Sequence, residues 1–368
     1  MRFDRRTFLG SMALGATATV TDASRHRVAA APAAADFEQR LAMVAEHDKL
    51  SGLHAVLVSQ HGRIIFEHYQ PGTDVDRRGR NLGTVAFAPD VPHDLRSVTK
   101  GVVGLLYGIA LADGKVPPPD ARLYDQFPQY ADLAAEPGRD RITIAHVLSM
   151  TLGLQWDELT IPYGDPRNSE NAMDDAPDRY RYILSLPIAA EPGRAWLYCG
   201  GATALLGHLI ARGTGMPLLD YAQRMLFGPM DFGPVVWGPG RDGEPIAASG
   251  LRLLPRDMLK VGQLVLARGN WQGRQLVPEA WVRTVTTQTV TIDQRRSYGY
   301  HWYMGDIAVS GQPHHWIGGI GWGGQRLFVM PDLDLVVGIN CGNYDKPGSE
   351  QSRVALTVLI GAVLPLVT

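Results

Sequence analysis

The chain has 368 residues, 45% of them hydrophobic, and its formal net charge is −2. This length and apolar content are enough for a large buried core in one or two domains. The small net charge gives no electrostatic basis for binding nucleic acid, and two cysteines exclude a disulfide framework. The chemistry of the protein must therefore be sought in individual motifs.

The first 35 residues have the pattern of an export signal. Paired arginines in Asp4–Gly10 precede a weakly hydrophobic run, Ser11–Val20, and the alanine-rich stretch 28–35 offers cleavage sites. This order resembles a bacterial twin-arginine signal, with cleavage favoured between Ala35 and Asp36. A disordered basic N-terminus is the alternative. We expect export by the twin-arginine machinery to the periplasm or beyond the cell, without a stable membrane anchor, because the apolar run is too short to cross a bilayer.

Two β runs follow, and after them comes the strongest chemical motif of the chain. His54–Ser59 and Ile64–Tyr69, joined by His61-Gly62, predict a hairpin. Further on, Ser97 and Lys100 are three positions apart, so on a helix they share a face. A serine becomes a nucleophile when a neighbouring base takes its proton, and a partly desolvated lysine can be that base. The spacing therefore indicates nucleophilic catalysis.

The residues around this motif predict a helix. Apolar residues recur at helical spacing from Val98 to Ile109, and Asp113-Gly114 is a stop signal. We expect Asp94 to cap the helix start, so that Ser97 lies in the first turn, where backbone N–H groups favour negative charge. The alternative is an ordinary amphipathic core helix with an exposed serine and lysine.

Strands at both ends with helices between them predict an α+β fold. The predicted elements after residue 140 are, in chain order, a helix from Thr143, a polar loop at 160–178, a helix over Ala202–Arg212, β runs at Tyr298–Met304, Gln325–Met330 and Leu333–Ile339, and a helix over Ser352–Leu364. We expect one globular domain over 36–368, with an antiparallel sheet lobe of about 36–95 and 250–368. A helical lobe of about 96–249 is inserted in it, and a small ligand would bind in the cleft between them.

Four segments carry motifs in a characteristic order. They are HDLRSVTKGVVGLLYGIAL around Ser97, ITIAHVLSMTLGLQWDE at 142–158, EPGRAWLYCGGATALLGHLI at 191–210 and GWGGQRLFVMPDLDLVVGIN at 321–340. Over about residues 50–365 the chain resembles the serine β-lactamase and penicillin-binding-protein superfamily, nearest to its class C-like branch of esterases and 6-aminohexanoate-dimer hydrolases. The resemblance implies a β-lactamase/transpeptidase-like fold and an acylated serine.

The second motif of that family is Y-x-N or a variant, and Tyr198-Cys199-Gly200 stands in its place. The resemblance implies that Tyr198 lies near Ser97 and Lys100 and relays a proton in both directions. For this role the ammonium must lower the pKa of the phenol. A buried core tyrosine is the alternative. Gly200 replaces the usual asparagine, so the amide contact of that side chain to a β-lactam-like substrate is absent.

The third motif is usually K-T-G or H-x-G on a strand, and here Trp316-Ile317-Gly318 occupies it without a cation. His315 lies one position away and would substitute only if the alignment slipped. A cation at this place would bind a substrate carboxylate, as in penicillins and D-alanyl peptides. Its loss argues for an ester or an uncharged amide.

The glycines that follow are candidates for the oxyanion hole. We expect the backbone N–H of Ser97 and that of Gly319 or Ile320 to hold the oxyanion, although a β-bulge or turn would also need glycine here. Gly319, Gly321 and Gly324 also form a G-x-G-x-x-G. A strand follows them where a dinucleotide site needs a helix, so this match is rejected.

Other polar and aromatic residues have weaker interpretations. Asp157-Glu158 and Asp174-Asp175 read as solvated loop charges. No spacing typical of a metal site occurs, and Cys199 and Cys341 would pair only if the fold joined them. The aromatic candidates for the substrate-binding wall, each of which could instead be core packing, are Trp156, Tyr163, Trp316 and Trp322.

The sequence thus predicts an exported serine hydrolase that cleaves an ester or amide of a small molecule through an acyl-serine intermediate. Ser97, Lys100 and Tyr198 are its predicted catalytic residues, and no cofactor, metal or nucleic acid is expected. One alternative is a true β-lactamase or D,D-peptidase. Another is a penicillin-recognising or peptidoglycan-binding module without turnover.

Overall fold

An eight-stranded antiparallel sheet organises the protein in this computed structural model, which describes residues 34–48 and 50–368. The strands are β1 (Leu53–Gln60), β2 (Arg63–Tyr69), β3 (Gly72–Val75), β4 (Asn81–Val85), β5 (His93–Asp94), β6 (Val236–Trp237), β7 (Leu251–Leu253), β8 (Asn270–Trp271), β9 (Arg274–Gln275), β10 (Val290–Thr291), β11 (Arg296–Tyr298), β12 (Tyr303–Val309), β13 (Gln312–Gly321), β14 (Gln325–Met330) and β15 (Leu335–Cys341). The large sheet has the order β10-β11-β12-β13-β14-β15-β1-β2. Strands from both ends of the chain meet where β15 pairs with β1.

Helices cover both faces of this sheet. They are α1 (Ala34–Asp48), α2 (Thr99–Ala112), α3 (Ala131–Ala134), α4 (Ile144–Leu148), α5 (Ser169–Asp175), α6 (Arg179–Ser185), α7 (Gly200–Thr214), α8 (Leu218–Ala222), α9 (Pro255–Leu266), α10 (Glu279–Val285), α11 (Gly348–Thr357) and α12 (Leu364–Val367). The run from α2 to α8 is inserted between β5 and β6, and the small sheet β5-β7-β6 closes the insertion. The α+β prediction is confirmed. Residues 1–33, which hold all but the last two positions of the predicted export signal, lie outside the described residues.

The face of the sheet that carries α2 and α9 is identified by close glycine contacts. A Cβ on Gly319 of β13 would lie 3.0 Å from Val98, next to α2, and a Cβ on Gly262 of α9 would lie 3.0 Å from Leu327. Gly319 and Leu327 are register partners, so these contacts are on the same face. The opposite face is covered by α1, where Phe37 stacks on Phe66 of β2 with ring centroids 4.9 Å apart.

The first hairpin forms as the sequence predicts. Its turn residues, His61 and Gly62, have φ angles of +51° and +72°. Two consecutive left-handed residues are the geometry that matches the twist of a tight hairpin. β1 and β2 therefore extend directly from this turn.

Three predicted elements differ in the structure. The loop at 160–178 contains α5, whose start is capped by the Asn168 side chain. The strand predicted over Tyr298–Met304 is two strands, because a turn with a left-handed residue at His301 separates β11 from β12. The closing helix is longer than predicted, since a wide turn over Val358–Val363 joins α11 to α12.

The C-terminal helical run over Gly348–Val367 has 20 residues and a mean hydropathy of 1.4. By length and composition alone it could cross a membrane, but 44% of it is buried against the rest of the protein. Its buried side includes Leu359 and Val363, and it packs on α1. In this structure the run acts as a layer of the core.

Candidate active site

Ser97 lies in a tight 3-10 turn, Arg96–Val98, that leads directly into α2. It therefore lies just before α2, which begins at Thr99, whereas the sequence predicted it in the first turn of the helix. Asp94 does not cap the helix: its Oδ1 accepts the backbone N–H of Arg96 at 2.7 Å, and no side chain caps α2. The extra turn explains the difference, because it separates Asp94 from the first residues of α2.

Arg96 has a backbone conformation that the sequence motif did not reveal. Its φ is +47°, in the left-handed region, which costs a non-glycine residue about 1–3 kcal/mol. Its guanidinium Nη2 donates to the carbonyl oxygens of Val75 and Asp76 at 2.7 and 2.8 Å, and its carbon lies 4.5 Å from the Tyr344 ring centroid. These contacts hold the sharp turn that presents Ser97.

The structure brings the three predicted catalytic residues together. The Nζ of Lys100, a side chain only 2% exposed, donates to the Ser97 Oγ at 3.0 Å and to the Ala248 carbonyl oxygen at 2.9 Å. The same Nζ lies 4.8 Å from the centroid of the Tyr198 ring. The amine therefore contacts the alcohol and lies beside the aromatic ring of the phenol.

The pKa of Tyr198 departs from the predicted direction. Burial raises the pKa of the phenol well above its usual value, and the Glu158 carboxylate raises it further, while the interaction with the Ser97 side chain acts in the opposite direction. The expected lowering by the ammonium is therefore wrong. A low dielectric and a nearby negative charge both favour the neutral phenol.

Two buried glutamates, Glu158 and Glu170, lie behind these residues; we call them the carboxyl cluster. Each is at most 4% exposed, and Asp174 beside them is also buried. The interpretation of Glu158 and Asp174 as solvated loop charges is therefore wrong. It failed because α5 folds the loop back against α7 and takes these acids out of water.

The two members of the carboxyl cluster have different partners. Glu170 accepts from Arg77 Nη2 at 2.9 Å, and Arg77 also donates to Asp174. Burial opposes its ionisation, but Arg77 and Lys100 hold the pKa of Glu170 below its usual value. Burial and the charge of Glu170 raise the pKa of Glu158 to about 7, against the attraction of Lys100.

A cleft of about 390 Å³ opens at Ser97. Tyr163 and Trp322 form part of its wall, with ring centroids 5.3 Å apart, and the Trp322 indole donates to the Tyr344 carbonyl oxygen at 3.1 Å. The charged residues of its lining are Asp76, Arg77, Arg78, Arg96, Glu170, Asp174 and Asp175. Two of the four predicted wall aromatics, Tyr163 and Trp322, are therefore at the cleft.

The other two predicted wall aromatics are elsewhere. Trp156 is buried behind the cleft and donates its indole N–H to Glu158 Oε2 at 2.6 Å. Trp316 packs edge-on against Phe328, with ring centroids 5.4 Å apart. Side chains alternate along β13, so Trp316 lies on the opposite face of the sheet from Gly319 and does not reach the cleft.

The glycine-rich end of β13 runs beside the Ser97 turn. A Cβ on Gly319 would lie 3.0 Å from Val98, a tight contact that the glycine avoids. The register of β12 with β13 ends at the pair Tyr303–Gly318, and among the described strands Gly319 and Ile320 pair with β14 alone. Their backbone on the β12 side is therefore at an open edge next to the nucleophile.

His315 does not supply the cation missing from the third motif. Its side chain is 50% exposed, and its Nδ1 lies 3.0 Å from the carboxylate of Asp306 on the neighbouring strand β12. Cys199 and Cys341 are buried and unpaired. Across residues 34–48 and 50–368, no group of three His, Cys, Asp or Glu side chains is placed to hold a metal ion.

Comparison with known proteins agrees with this arrangement. The family model described as Beta-lactamase matches residues 35–360. The 6-aminohexanoate-dimer hydrolase of Paenarthrobacter ureafaciens is 24% identical over 324 residues, which are 82% of this chain and 74% of that protein. The chain therefore belongs to the β-lactamase family.

Solved structures show the same fold. A candidate 6-aminohexanoate-dimer hydrolase from Bacillus anthracis aligns with a TM-score of 0.70 and 18% identity, over 89% of this chain and 82% of that one. A hydrolase with promiscuous acyltransferase activity aligns with a TM-score of 0.68 and 16% identity, over 89% and 98%. The predicted β-lactamase/transpeptidase-like fold is confirmed, and the protein is a serine hydrolase of the β-lactamase-related type.

Proposed function

We propose that this protein hydrolyses an ester or an uncharged amide of a small substrate through an acyl intermediate on Ser97. The observation that carries the proposal is the 3.0 Å contact between the Lys100 Nζ and the Ser97 Oγ at the floor of an open cleft. Nucleophile and base within hydrogen-bonding distance are the geometric requirement for covalent catalysis by serine.

The proposed reaction has two halves. Ser97 Oγ attacks the substrate carbonyl carbon, and its proton passes to Lys100 in the free-amine form, with Tyr198 as the relay toward the leaving group. The backbone N–H groups of Ser97 and of Gly319 or Ile320 stabilise the oxyanion. The leaving alcohol or amine departs with a proton, and water then attacks the acyl-serine by the same route and releases the acid.

The position of the third motif favours a substrate without a carboxylate near the acyl group. Trp316 stands at the place of the family's cation, and His315 bonds Asp306. A carboxylate-bearing β-lactam or D-alanyl peptide would find no dedicated cation there. The relative named as a 6-aminohexanoate-dimer hydrolase makes linear amide dimers reasonable members of a substrate panel.

The test compares Ser97→Ala with the wild type on short-chain p-nitrophenyl esters, linear amide dimers and nitrocefin. Ser97→Ala should abolish turnover while leaving the thermal unfolding temperature nearly unchanged. Ser185→Ala, on an exposed helix end, is the matched control and should be fully active. Retained activity in Ser97→Ala would remove Ser97 from the mechanism, and nitrocefin turnover rivalling that of the esters would favour a true β-lactamase.

Export is a separate proposal that depends on Asp4–Gly10 and the alanine-rich stretch after it. In a bacterial host with a twin-arginine system, replacing Arg5 and Arg6 by lysine should keep the protein in the cytoplasmic fraction with its leader attached. The matched control Arg25→Lys should be exported normally. An unchanged distribution of the paired variant would exclude this route.

A further inference from the structure

We propose that Glu158 is a positioning residue of the reaction, which fixes the Tyr198–Gly200 segment and controls, through its charge, proton transfer by the Lys100–Tyr198 pair. This inference rests on the proposed function. It concerns a residue for which the sequence predicted only a solvated loop charge.

The hydrogen bonds of Glu158 join the two walls of the site. Its Oε2 accepts the Gly200 backbone N–H and the Trp156 indole N–H, both at 2.6 Å. Its Oε1 accepts the Tyr163 hydroxyl at 3.3 Å. Glu158 is only 1% exposed. Three donors hold its carboxyl group, and none of them is a cation.

The glycine in the second motif gives this carboxyl group its place. A Cβ on Gly200 would lie 3.0 Å from the Glu158 Oε2 and 3.3 Å from the Glu170 Oε1. The family's asparagine would need that same space. Gly200 therefore lets the carboxyl cluster contact the backbone just two residues from Tyr198.

Groups from several elements face Glu158 and share its field. They are Lys100 of α2, Glu170 of α5 with its partner Arg77, Tyr163 of the preceding loop, Tyr198 and Cys199 of the segment before α7, and Tyr298 and Tyr303 of the sheet. Lys100 is the cation closest to the reacting atoms in this set. Glu170 is paired with Arg77, and its charge still acts on Glu158. Among the groups of the reaction, Lys100 and Tyr198 are therefore the ones that interact electrostatically with the charge of Glu158.

The direction of the effect follows from electrostatics. A carboxylate at Glu158 attracts the ammonium of Lys100 and disfavours a phenolate at Tyr198. Both effects hold the proton that the pair must release before Ser97 can attack. Removal of this charge, with the hydrogen bonds kept, should let the pair release its proton at lower pH.

Two variants separate charge from geometry. Glu158→Gln can keep all three hydrogen bonds, with its amide oxygen toward Gly200 and Trp156 and its NH₂ toward the Tyr163 oxygen. Its acidic limb of kcat/KM for a p-nitrophenyl ester should move to lower pH by about one unit. Glu158→Asp keeps the charge but is one methylene shorter, so kcat should fall by about ten-fold or more with the limb in its wild-type position.

The control is a buried carboxylate outside the site. Asp257 of α9 is 2% exposed, accepts the Gly233 N–H and pairs with Lys260. Asp257→Asn loses the same charge and should leave the limb in place even where it lowers the unfolding temperature. A shift as large as that of Glu158→Gln would mean that any buried charge has this effect, and the proposal would fail.

The remaining outcomes also decide the proposal. A folded Glu158→Gln with an unmoved limb overturns it, as does an equal loss of kcat in both Glu158 variants without a limb shift. If Glu158→Gln does not fold, Trp156→Phe removes one donor, makes the carboxylate less favourable and should move the limb in the same direction by less; no movement overturns the proposal. Failure of the proposed function is distinct, because Ser97→Ala would then stay active.

Discussion

The protein buries two pairs of titratable side chains, and burial lowers the pKa of both histidines of one pair but raises that of Glu158 in the other. The histidine cluster, His54 and His93, has His54 Nδ1 2.9 Å from His93 Nε2 and His93 Nδ1 2.9 Å from the Asp94 carbonyl oxygen. A carbonyl oxygen only accepts, so His93 donates from Nδ1. Burial lowers the pKa of His93 to about 4, so at neutral pH the ring is uncharged and its Nε2 accepts from His54.

The histidine cluster and Glu158 give the free energy of unfolding opposite dependences on pH. Burial and the neighbouring His93 lower the pKa of His54 from 6.5 to about 4, and burial lowers that of His93 as well. The unfolded chain then binds more protons between about pH 4 and 6.5, so this contribution is present above pH 6.5 and is lost as the pH falls. The pKa of Glu158 is raised from 4.5 to about 7. The contribution of Glu158 to the free energy of unfolding is therefore present below about pH 4.5 and is lost as the pH rises to about 7.

The two clusters differ in whether they contact the catalytic residues. The histidine cluster bonds within itself and to Asp94, and stacks on Phe87, with no contact to the Ser97 hydroxyl among these bonds. The carboxyl cluster is bonded to the segment that carries Tyr198 and shares the field of Lys100. We therefore expect the first to govern stability and the second to govern turnover.

The largest effect should come from Lys100→Met. Without the ammonium, Ser97 loses its base and the carboxyl cluster loses its nearest reacting-site cation, so kcat/KM for a p-nitrophenyl ester should fall by about 10³-fold. Lys260→Met is the control, because Lys260 pairs with the buried Asp257 and lies outside the cleft. Its kcat/KM should remain near wild type. If the Lys100→Met enzyme kept a tenth of its activity, Lys100 would not be the base for Ser97.

The next effect should come from Tyr198→Phe. The aromatic ring beside Lys100 remains, but the proton relay to Ser97 is lost, so kcat should fall by about 10²-fold with little change in KM. Steady-state kinetics on the same ester give both constants. Tyr300→Phe removes a half-buried phenol of the β11–β12 turn and should behave like wild type. Equal kcat values for the two variants would contradict a role for the Tyr198 hydroxyl.

The smallest effect should come from His54→Phe and should appear only in stability. The phenyl ring can keep the stacking on Phe87 but does not titrate, so the free energy of unfolding should depend less steeply on pH between 5 and 7.5, by about 1–2 kcal/mol. Denaturant unfolding at the two pH values measures this change. Activity at pH 7.5 should stay within about two-fold of wild type. The exposed control His61→Asn should keep the wild-type slope; a wild-type slope in His54→Phe would show that the histidine cluster does not titrate on unfolding.

Local patterns carried much of the fold and the core of the site. The spacing of Ser97 and Lys100 and the apolar stripe after them predicted α2, because a helix determines which neighbours share a face. His61-Gly62 predicted the first turn. Strand β14 was predicted with its observed bounds, Gln325–Met330. In each case the determining contacts are near in sequence.

Properties that depend on distant contacts were not predicted. In sequence, Glu158 looks like an acid of a surface loop, and it is buried only because α5 packs back onto α7. The left-handed Arg96 is held by carbonyl groups some 20 residues earlier. The prediction that Trp316 lines the cleft was wrong for a different reason. Trp316 is near Gly319 in sequence, but the alternation of side chains along β13 puts it on the other face of the sheet.

The most direct test of the account is acid-quench mass spectrometry of the enzyme during turnover of p-nitrophenyl acetate. The account predicts a mass increase of one acetyl group per chain, located by peptide mapping on Ser97 and absent from Ser97→Ala. An acetyl group on another residue that turns over with the substrate, or the same adduct in Ser97→Ala, would contradict the account.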